Sequence, residues 1–184
     1  VSCGTSGDVT FEEGIQSHQT DTFLKSATKS ASKSEITLNI TDGDLNRYAK
    51  IYYNNNATVD FDNGYDGETF SGVANTFDVF TQLVGNNVGE NYQIQSLPNS
   101  DLESMIVPVG LKAAANKEIT FSAEALNLPS DIKVFLEDRQ ENTYTRIDEA
   151  NTSYKVTLIT ALDGVGRFYL HTSRSALSVA DNVT

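Results

Sequence analysis

Apolar and polar residues alternate along most of this chain, and this alternation constrains its fold more than any other feature. In residues 35–41 (EITLNIT) every second residue is apolar, which gives Ile36, Leu38 and Ile40 a common face. Residues 47–53 (RYAKIYY) alternate in the same way. A period of two is typical of a strand that buries one face and exposes the other. The two segments therefore predict half-buried β-strands.

Further segments share this strand-like composition: residues 8–12, 77–83, 92–96, 105–109, 118–122, 132–137, 143–147, 154–159 and 166–171. Turn-forming residues separate them, at 42–44 (DGD), 85–87 (GNN), 97–101 (LPNSD), 128–131 (LPSD) and 163–166 (DGVG). Many short strands with this spacing predict an all-β fold, an antiparallel β-sandwich that is jelly-roll-like. The windows that tolerate a helix, residues 113–118 and 122–126, are too short to be stable alone.

Composition narrows the possible partners. The chain has 184 residues, 39% of them hydrophobic, which is enough for one domain with a core. Its formal net charge of −12 argues against nucleic acid, because phosphate binding needs clustered Lys and Arg. The same charge argues against anionic membranes, and no apolar run is long enough for membrane insertion. Cys3 is the only cysteine, so we expect no internal disulfide.

We expect four parts along the chain. Residues 1–17 form an N-terminal strand segment, which can be the end of an upstream region, and residues 18–34 (HQTDTFLKSATKSASKS) form a linker or long loop. Residues 35–173 form the β-sandwich module, and residues 174–184 form an exit linker. No signal-peptide pattern follows Val1, so we expect a piece of a larger protein.

An acidic loop follows the RYAKIYY segment. In FDNGYDGE and the residue before it, Asp60, Asp62, Asp66 and Glu68 occur at even positions, with Gly64 among them. Carboxylates at this spacing suit a structural Ca²⁺, which takes six to eight oxygen ligands. They equally suit a turn in which the carboxylates accept hydrogen bonds from neighbouring backbone. Both interpretations stay open at this point.

Aromatic side chains form two strips on the polar faces of predicted strands: Tyr48, Lys50 and Tyr52 on one strand, and Arg167, Tyr169 and His171 on the other. Rings flanked by hydrogen-bonding groups can stack on a sugar, so these strips are candidate ligand-binding surfaces. Tyr is also a good strand former that packs across strands. The chain has no Trp, the strongest stacking platform for sugars, and this counts against glycan binding.

Catalytic arrangements are not evident in the sequence. His18 and His171 are the only histidines, one in the expected linker and one on a strand, so neither a catalytic triad nor a zinc site has obvious parts. Glu137 and Asp138 are adjacent and should point to opposite faces of a strand, whereas a glycosidase pair must face one cleft. We therefore expect no enzymatic activity.

Several pieces in order resemble a known family: DVTFEEGIQ, TDTFLKS, ITLNI, FDNGYDGE, YQIQSLP, IVPVGLKA, IKVFLEDRQENTYTRI and GVGRFYLHTS. Together they are similar to the β-sandwich module that precedes the C-terminal sorting domain in type IX-secreted surface proteins of Bacteroidota. The chain departs from this family at residues 163–166, where the family often has an Asn-Asp pair. The resemblance implies a secreted or cell-surface accessory module.

Two functions follow as expectations. The first is a non-catalytic, glycan-binding module whose partners are a polysaccharide or surface glycan and the flanking domains of the same chain. The second is a rigid spacer that presents a neighbouring catalytic or adhesive domain and the sorting domain, with no ligand of its own. Fold alone does not decide between them.

Overall fold

The computed structural model describes residues 33–70, 72–100 and 102–178. All of these belong to the larger of the two units into which the chain divides, Ser32–Thr184. The expected strand at residues 8–12, His18, Cys3 and most of the expected linker lie outside the described residues. The expected domain boundaries therefore stay predictions.

The described residues form strands and no helix long and apolar enough to cross a bilayer. The strands are β1 (Ser34–Thr41), β2 (Asn46–Asn54), β3 (Gly67–Glu68), β4 (Asp78–Thr81), β5 (Tyr92–Pro98), β6 (Ile106–Ala113), β7 (Glu118–Leu126), β8 (Lys133–Asp138), β9 (Thr143–Arg146), β10 (Tyr154–Thr157) and β11 (Leu162–Ser173). The all-β prediction is confirmed.

All eleven strands belong to one sheet. Ten of them follow the order β10-β7-β1-β2-β5-β4-β6-β11-β8-β9, and β3 pairs with β5 beside this path. The sheet is mixed, because β2 and β5 run parallel while the other described pairs are antiparallel. A sandwich or jelly roll is not shown: the pairing is continuous, and the sheet is nearly closed into a barrel-like shape.

Ile147 connects the two sides of the sheet near its open ends. Its N–H donates to Val134 O of β8 (3.0 Å), and its carbonyl accepts from the Ala123 N–H of β7 (2.8 Å). A side-chain bond reinforces this approach, since the Tyr154 hydroxyl of β10 donates to Asp138 Oδ2 of β8 (2.8 Å). The backbone of Ile147 thus bridges β7 and β8, which lie near opposite ends of the strand order.

The predicted alternation sets the core. Ile36, Leu38 and Ile40 of β1 are buried. On β2, burial alternates in the same way, and Leu38 lies opposite Ala49 in the register. Phe121 and Phe168 meet inside the sheet with ring centroids 4.8 Å apart. Residues that were expected on one face of each strand therefore fill one common interior.

The turn predicted at residues 163–166 is wrong, because these residues lie inside the continuous strand β11. The register with β6 changes there from Gly164↔Leu111 to Phe168↔Val109, so the β11 strand carries extra residues as a bulge. Gly164 (φ 148°) and Gly166 (φ 113°) adopt backbone conformations that side-chain-bearing residues rarely adopt. The glycines that indicate a turn in the sequence instead permit a bulge.

Candidate functional site

A groove lies where β2 extends beyond its pairing with β5. The register between these strands begins at Lys50↔Ile94, so residues 46–49 have no strand partner on that side among the described residues. The Gln93 side chain fills the gap, because its Nε2 donates to Tyr48 O and to Val79 O of β4 (3.2 Å to the latter). A side chain thus replaces a strand beside Tyr48, and a depression lined by Tyr48 and Gln93 lies there.

The groove, which we call the Tyr48 groove, has two lobes. The Tyr48 lobe has a volume of about 330 Å³ and is lined by Asn46, Arg47, Tyr48 and Gln93. The Lys112 lobe has a volume of about 250 Å³ and is lined by residues that include Thr69, Phe80, Asn91, Lys112 and Asp163. Both lobes share Phe70, Asn75 and Asp78.

Two exposed rings border the groove. Tyr48 is 51% exposed and Phe70 is 79% exposed. Gly72 contacts the Phe70 ring so closely that a Cβ there would lie 2.4 Å from Phe70 Cζ. The ring is therefore held over the backbone of its own loop while its other surface faces solvent.

The floor of the Lys112 lobe depends on Gly110. Phe80 lies opposite Gly110 in the pairing of β4 with β6, and it is buried. A Cβ on Gly110 would lie 1.9 Å from Phe80 Cε2. The absence of a side chain at position 110 thus leaves the space that the Phe80 ring occupies.

Charged residues cross the floor in one row. Asp78 of β4 pairs with Lys112 of β6, and Lys112 pairs with Asp163 of β11. Lys112 Nζ lies 3.1 Å from Asp163 Oδ2. The Asn75 amide donates to Asp78 Oδ2 (2.8 Å). The groove therefore carries amide and carboxylate groups as well as the two rings.

Only one residue of the predicted Tyr48–Lys50–Tyr52 strip lines the groove. The three side chains do alternate with buried residues on β2, as predicted. Lys50, however, forms an ion pair with Glu35 of β1, and its Nζ lies 5.8 Å from the centroid of the Tyr52 ring. The hydrogen bond to Glu35 raises the pKa of Lys50. Lys50 and Tyr52 therefore interact with each other and with β1, while Tyr48 faces the groove.

The second predicted strip is occupied by neighbouring side chains. Arg139 lies 3.5 Å from the centroid of the Tyr169 ring. His171 Nε2 lies 2.8 Å from Glu137 Oε2, and the Tyr144 ring contacts His171 edge-on at 5.3 Å between centroids. Burial opposes ionisation of Glu137, but hydrogen bonds from His171 and Arg139 outweigh it and lower its pKa. These contacts are those of side chains that pack across strands, which was the alternative to ligand binding for this strip.

Arg167 does not join Tyr169 at the surface. Its Nε lies 3.0 and 3.1 Å from the two Asp138 carboxylate oxygens, and its Nη2 lies 2.7 Å from Oδ2. The Tyr154 hydroxyl and the backbone N–H groups of Gln140 and Glu141 complete the partners of Asp138. Glu137 and Asp138 thus have different surroundings, as predicted for adjacent strand residues.

Burial alone opposes the charged form of Asp138, yet its pKa is lowered because hydrogen bonds from Arg167 and Tyr154 outweigh burial. Burial, together with the hydrogen bond to Asp138, raises the pKa of Tyr154 to about 12. The ionised carboxylate and the neutral phenol are therefore the stable forms of this cluster at neutral pH. The cluster is structural in its contacts and lies outside the Tyr48 groove.

The acidic loop forms a hydrogen-bonded turn. Asp62 accepts from Thr58, both at Oδ2 from the backbone N–H (2.5 Å) and at Oδ1 from Oγ1 (3.2 Å). Asp66 accepts from the N–H groups of Asp62 (2.7 Å) and Ser96 (2.6 Å). Burial raises the pKa of Asp66, although these N–H groups oppose the rise.

The predicted metal ligands do not converge. Asp60 joins the turn only through its backbone, since its N–H donates to Thr58 Oγ1 (3.2 Å), and the Asp60 and Glu68 carboxylates take no part in the hydrogen bonds that organise Asp62 and Asp66. Within residues 33–70, 72–100 and 102–178, no group of three or more His, Cys, Asp or Glu side chains has an arrangement that could hold a metal ion. The Ca²⁺ expectation stays a prediction, and the hydrogen-bonded alternative describes the contacts seen.

Sequence reasoning missed most of the groove. Phe70, Asn75, Asp78, Lys112 and Asp163 come from β4, β6, β11 and one loop, so no local spacing connects them. One signal was present: Phe70 is a single aromatic residue in a loop of small and polar residues (ETFSGVANT). An isolated ring in such a loop is a candidate contact residue.

A family model described as "Domain of unknown function (DUF8693)" matches residues 2–171. No curated protein matches the chain. No solved structure matches it either. The chain therefore belongs to the DUF8693 family.

Proposed function

We propose that this chain is a non-catalytic accessory module that binds a glycan through the Tyr48 groove. The observation that carries the proposal is that two exposed rings, Tyr48 and Phe70, line the same depression as the hydrogen-bonding side chains of Asn75 and Asp78. Ligand sites are concave surfaces in which apolar contacts supply affinity and a few polar groups fix orientation. Sugar rings offer apolar faces and hydroxyl edges that match both kinds of contact.

The charge of the chain indicates the kind of glycan. A net charge of −12 disfavours sulfated or uronate-rich polymers, because like charges repel. In the groove, Asp78 and Asp163 lie on either side of Lys112 in the register. A neutral glycan is therefore the ligand class that this surface favours.

The resemblance to modules of type IX-secreted proteins supports a place in a larger secreted or cell-surface protein. In that setting the flanking domains act on the same polysaccharide, and weak binding by one module suffices when several modules bind together. No catalytic role is proposed, since His171, the one histidine in the described part of the chain, is paired with Glu137 and packed against Tyr144.

Affinity electrophoresis in gels that contain xylan, mannan or β-glucan tests this proposal. If a sugar covers about 60 Å² of the Tyr48 ring at about 25 cal/mol per Å², the ring contributes about 1.5 kcal/mol. Tyr48→Ala should therefore weaken retardation in the gel by about tenfold in Kd. Tyr169→Ala is the matched control, because the Tyr169 ring lies outside the groove and under Arg139.

Retardation that Tyr48→Ala leaves unchanged would place the ligand elsewhere on the chain. Mobility unaffected by every polysaccharide would favour the second candidate, a rigid spacer. A specific observation supports that candidate as well: the Asp138–Arg167–Tyr154 cluster ties β8, β10 and β11 together, which suits a body that holds other domains apart.

A further inference from the structure

The Tyr48 groove does not end at the Lys112 lobe. Lys112 and Asp163 also line a third depression of about 300 Å³, together with Thr76, Ala114, Ala161 and Leu162. Its lining continues the surface beyond the ion pair, toward the start of β11. Three adjoining depressions therefore follow one another from Tyr48 to Leu162.

The row Asp78–Lys112–Asp163 shows the direction of this surface. These residues are direct partners in the pairings of β4 with β6 and of β6 with β11. Paired strands lie about 4.8 Å apart, so the row extends about 10 Å across the strands. The Tyr48 lobe adds further length on the β2 side. The complete surface is therefore longer than the row itself.

The volumes agree with one ligand that occupies both lobes. Ligand pockets usually span about 300–1,000 Å³. The Tyr48 lobe, about 330 Å³, is near the lower bound, and the Lys112 lobe, about 250 Å³, is below it. Joined through Phe70, Asn75 and Asp78, the lobes together fall inside the range.

A buried acceptor lies at the junction of the two lobes. Asn75 Oδ1 has no hydrogen-bond partner among the described residues, although Asn75 Nδ2 donates to Asp78. Oδ1 is closed off from solvent, so a ligand hydroxyl can donate to it only after the Asn75 side chain shifts. A ligand that spans both lobes passes over Asn75, where such a shift would give its hydroxyl an acceptor.

We infer that the ligand of the Tyr48 groove is a linear, neutral oligosaccharide or polysaccharide segment that lies across β4, β6 and β11, with Lys112 and Asp163 forming a distant subsite. This inference rests on the proposed function. The segment begins over the Tyr48 ring, passes Phe70 and Asn75, and crosses the Lys112–Asp163 ion pair. A short oligosaccharide occupies only the aromatic end.

Calorimetric titration with xylo-, manno- and gluco-oligosaccharides tests the inference by chain length. In the unmodified chain, the hexasaccharide of the series that binds should have a Kd about tenfold below that of the disaccharide. Lys112→Met keeps the alkyl stem but removes the charge, and it should weaken the hexasaccharide about fivefold while leaving the disaccharide unchanged. Asp163→Asn is a second variant with the same expected pattern.

Lys155→Met is the matched control, because Lys155 forms a comparable exposed pair with Glu118 (3.7 Å) and does not line the groove. Thermal melts of each variant verify that it is folded. Equal affinity for the disaccharide and hexasaccharide, or equal loss for both in Lys112→Met, overturns the long-ligand inference and leaves the proposed function standing. Absence of binding by every oligosaccharide and polysaccharide overturns both.

Discussion

Removal of the Arg167 guanidinium tests the structural role of the buried ion pair between Arg167 and Asp138. The Asp138 side chain is fully buried and that of Arg167 is 11% exposed, so water replaces little of what is lost. In Arg167→Met, three guanidinium–carboxylate contacts between 2.7 and 3.1 Å disappear, and Asp138 keeps only Tyr154 and two backbone N–H groups. Loss of one partner from a buried pair costs about 3–5 kcal/mol.

Urea denaturation measures this cost. With a denaturant slope of about 2 kcal/mol per M, a loss of about 4 kcal/mol lowers the midpoint by about 2 M. Tyr154→Phe removes one hydrogen bond to the same carboxylate and should cost about 1.5–3 kcal/mol. Arg167→Met combined with Asp138→Asn should recover most of the loss, because Asn keeps an acceptor for the turn without the unpaired charge.

The pH dependence gives an independent check. The pKa of Asp138 in the folded chain lies below its ordinary value of 3.8. The ionised Asp138 therefore stabilises the fold fully above about pH 3.8, and this contribution is lost as the pH falls through the folded-state pKa. In Arg167→Met, burial acts without the guanidinium and raises the pKa of Asp138, so protonation relieves the buried charge at a higher pH. The difference in stability between the two proteins should therefore narrow as the pH falls.

A loss below about 1 kcal/mol in Arg167→Met at neutral pH would refute the reasoning, since it would put the pair among exposed ion pairs of little energetic value. If the difference in stability between the unmodified chain and Arg167→Met widens toward acid pH, the assignment of Asp138 as ionised is contradicted.

Two further predictions concern the groove floor and the acidic loop. Gly110→Ala places a Cβ 1.9 Å from the buried Phe80 ring, so it should lower the free energy of unfolding by about 1–3 kcal/mol in denaturation experiments. Gly67→Ala is the control, because its Cβ would have its nearest contact at 3.6 Å, and it should change stability little. Equal effects of the two substitutions would contradict this packing. Because the Asp62 and Asp66 carboxylates already accept backbone hydrogen bonds, millimolar Ca²⁺ or a chelator should leave the melting midpoint unchanged. Stabilisation of about 2.7 kcal/mol, the value for a ligand at a hundred times its Kd, would instead establish the Ca²⁺ site.

Local features of the fold were predictable from the sequence. The alternation in EITLNIT and RYAKIYY predicted which residues of β1 and β2 are buried, and the DGD turn joins the two strands as expected. These features depend on neighbouring residues, where periodicity and turn chemistry are informative. The same local information placed Tyr48 on the outward face.

Long-range features were not predictable. The parallel pairing of β2 with β5, the closure through Ile147 and the burial of Arg167 against Asp138 join residues far apart in the chain. The glycines at 164 and 166 support a turn or a bulge equally, and only the pairing of β11 decides between them. Most residues that line the candidate groove are brought together by such pairings. The sequence therefore indicated the Tyr48 ring but not the other lining residues.

Chemical-shift mapping tests binding at the Tyr48 groove most directly. The isotope-labelled chain would be titrated with xylan-, mannan- and β-glucan-derived hexasaccharides, and its backbone and side-chain amide signals followed. We predict that the largest changes cluster at Tyr48, Gln93 and Asn75, with Tyr169 and His171 unaffected. Changes centred on Tyr169 and His171, or no change with any hexasaccharide, would contradict binding at this groove.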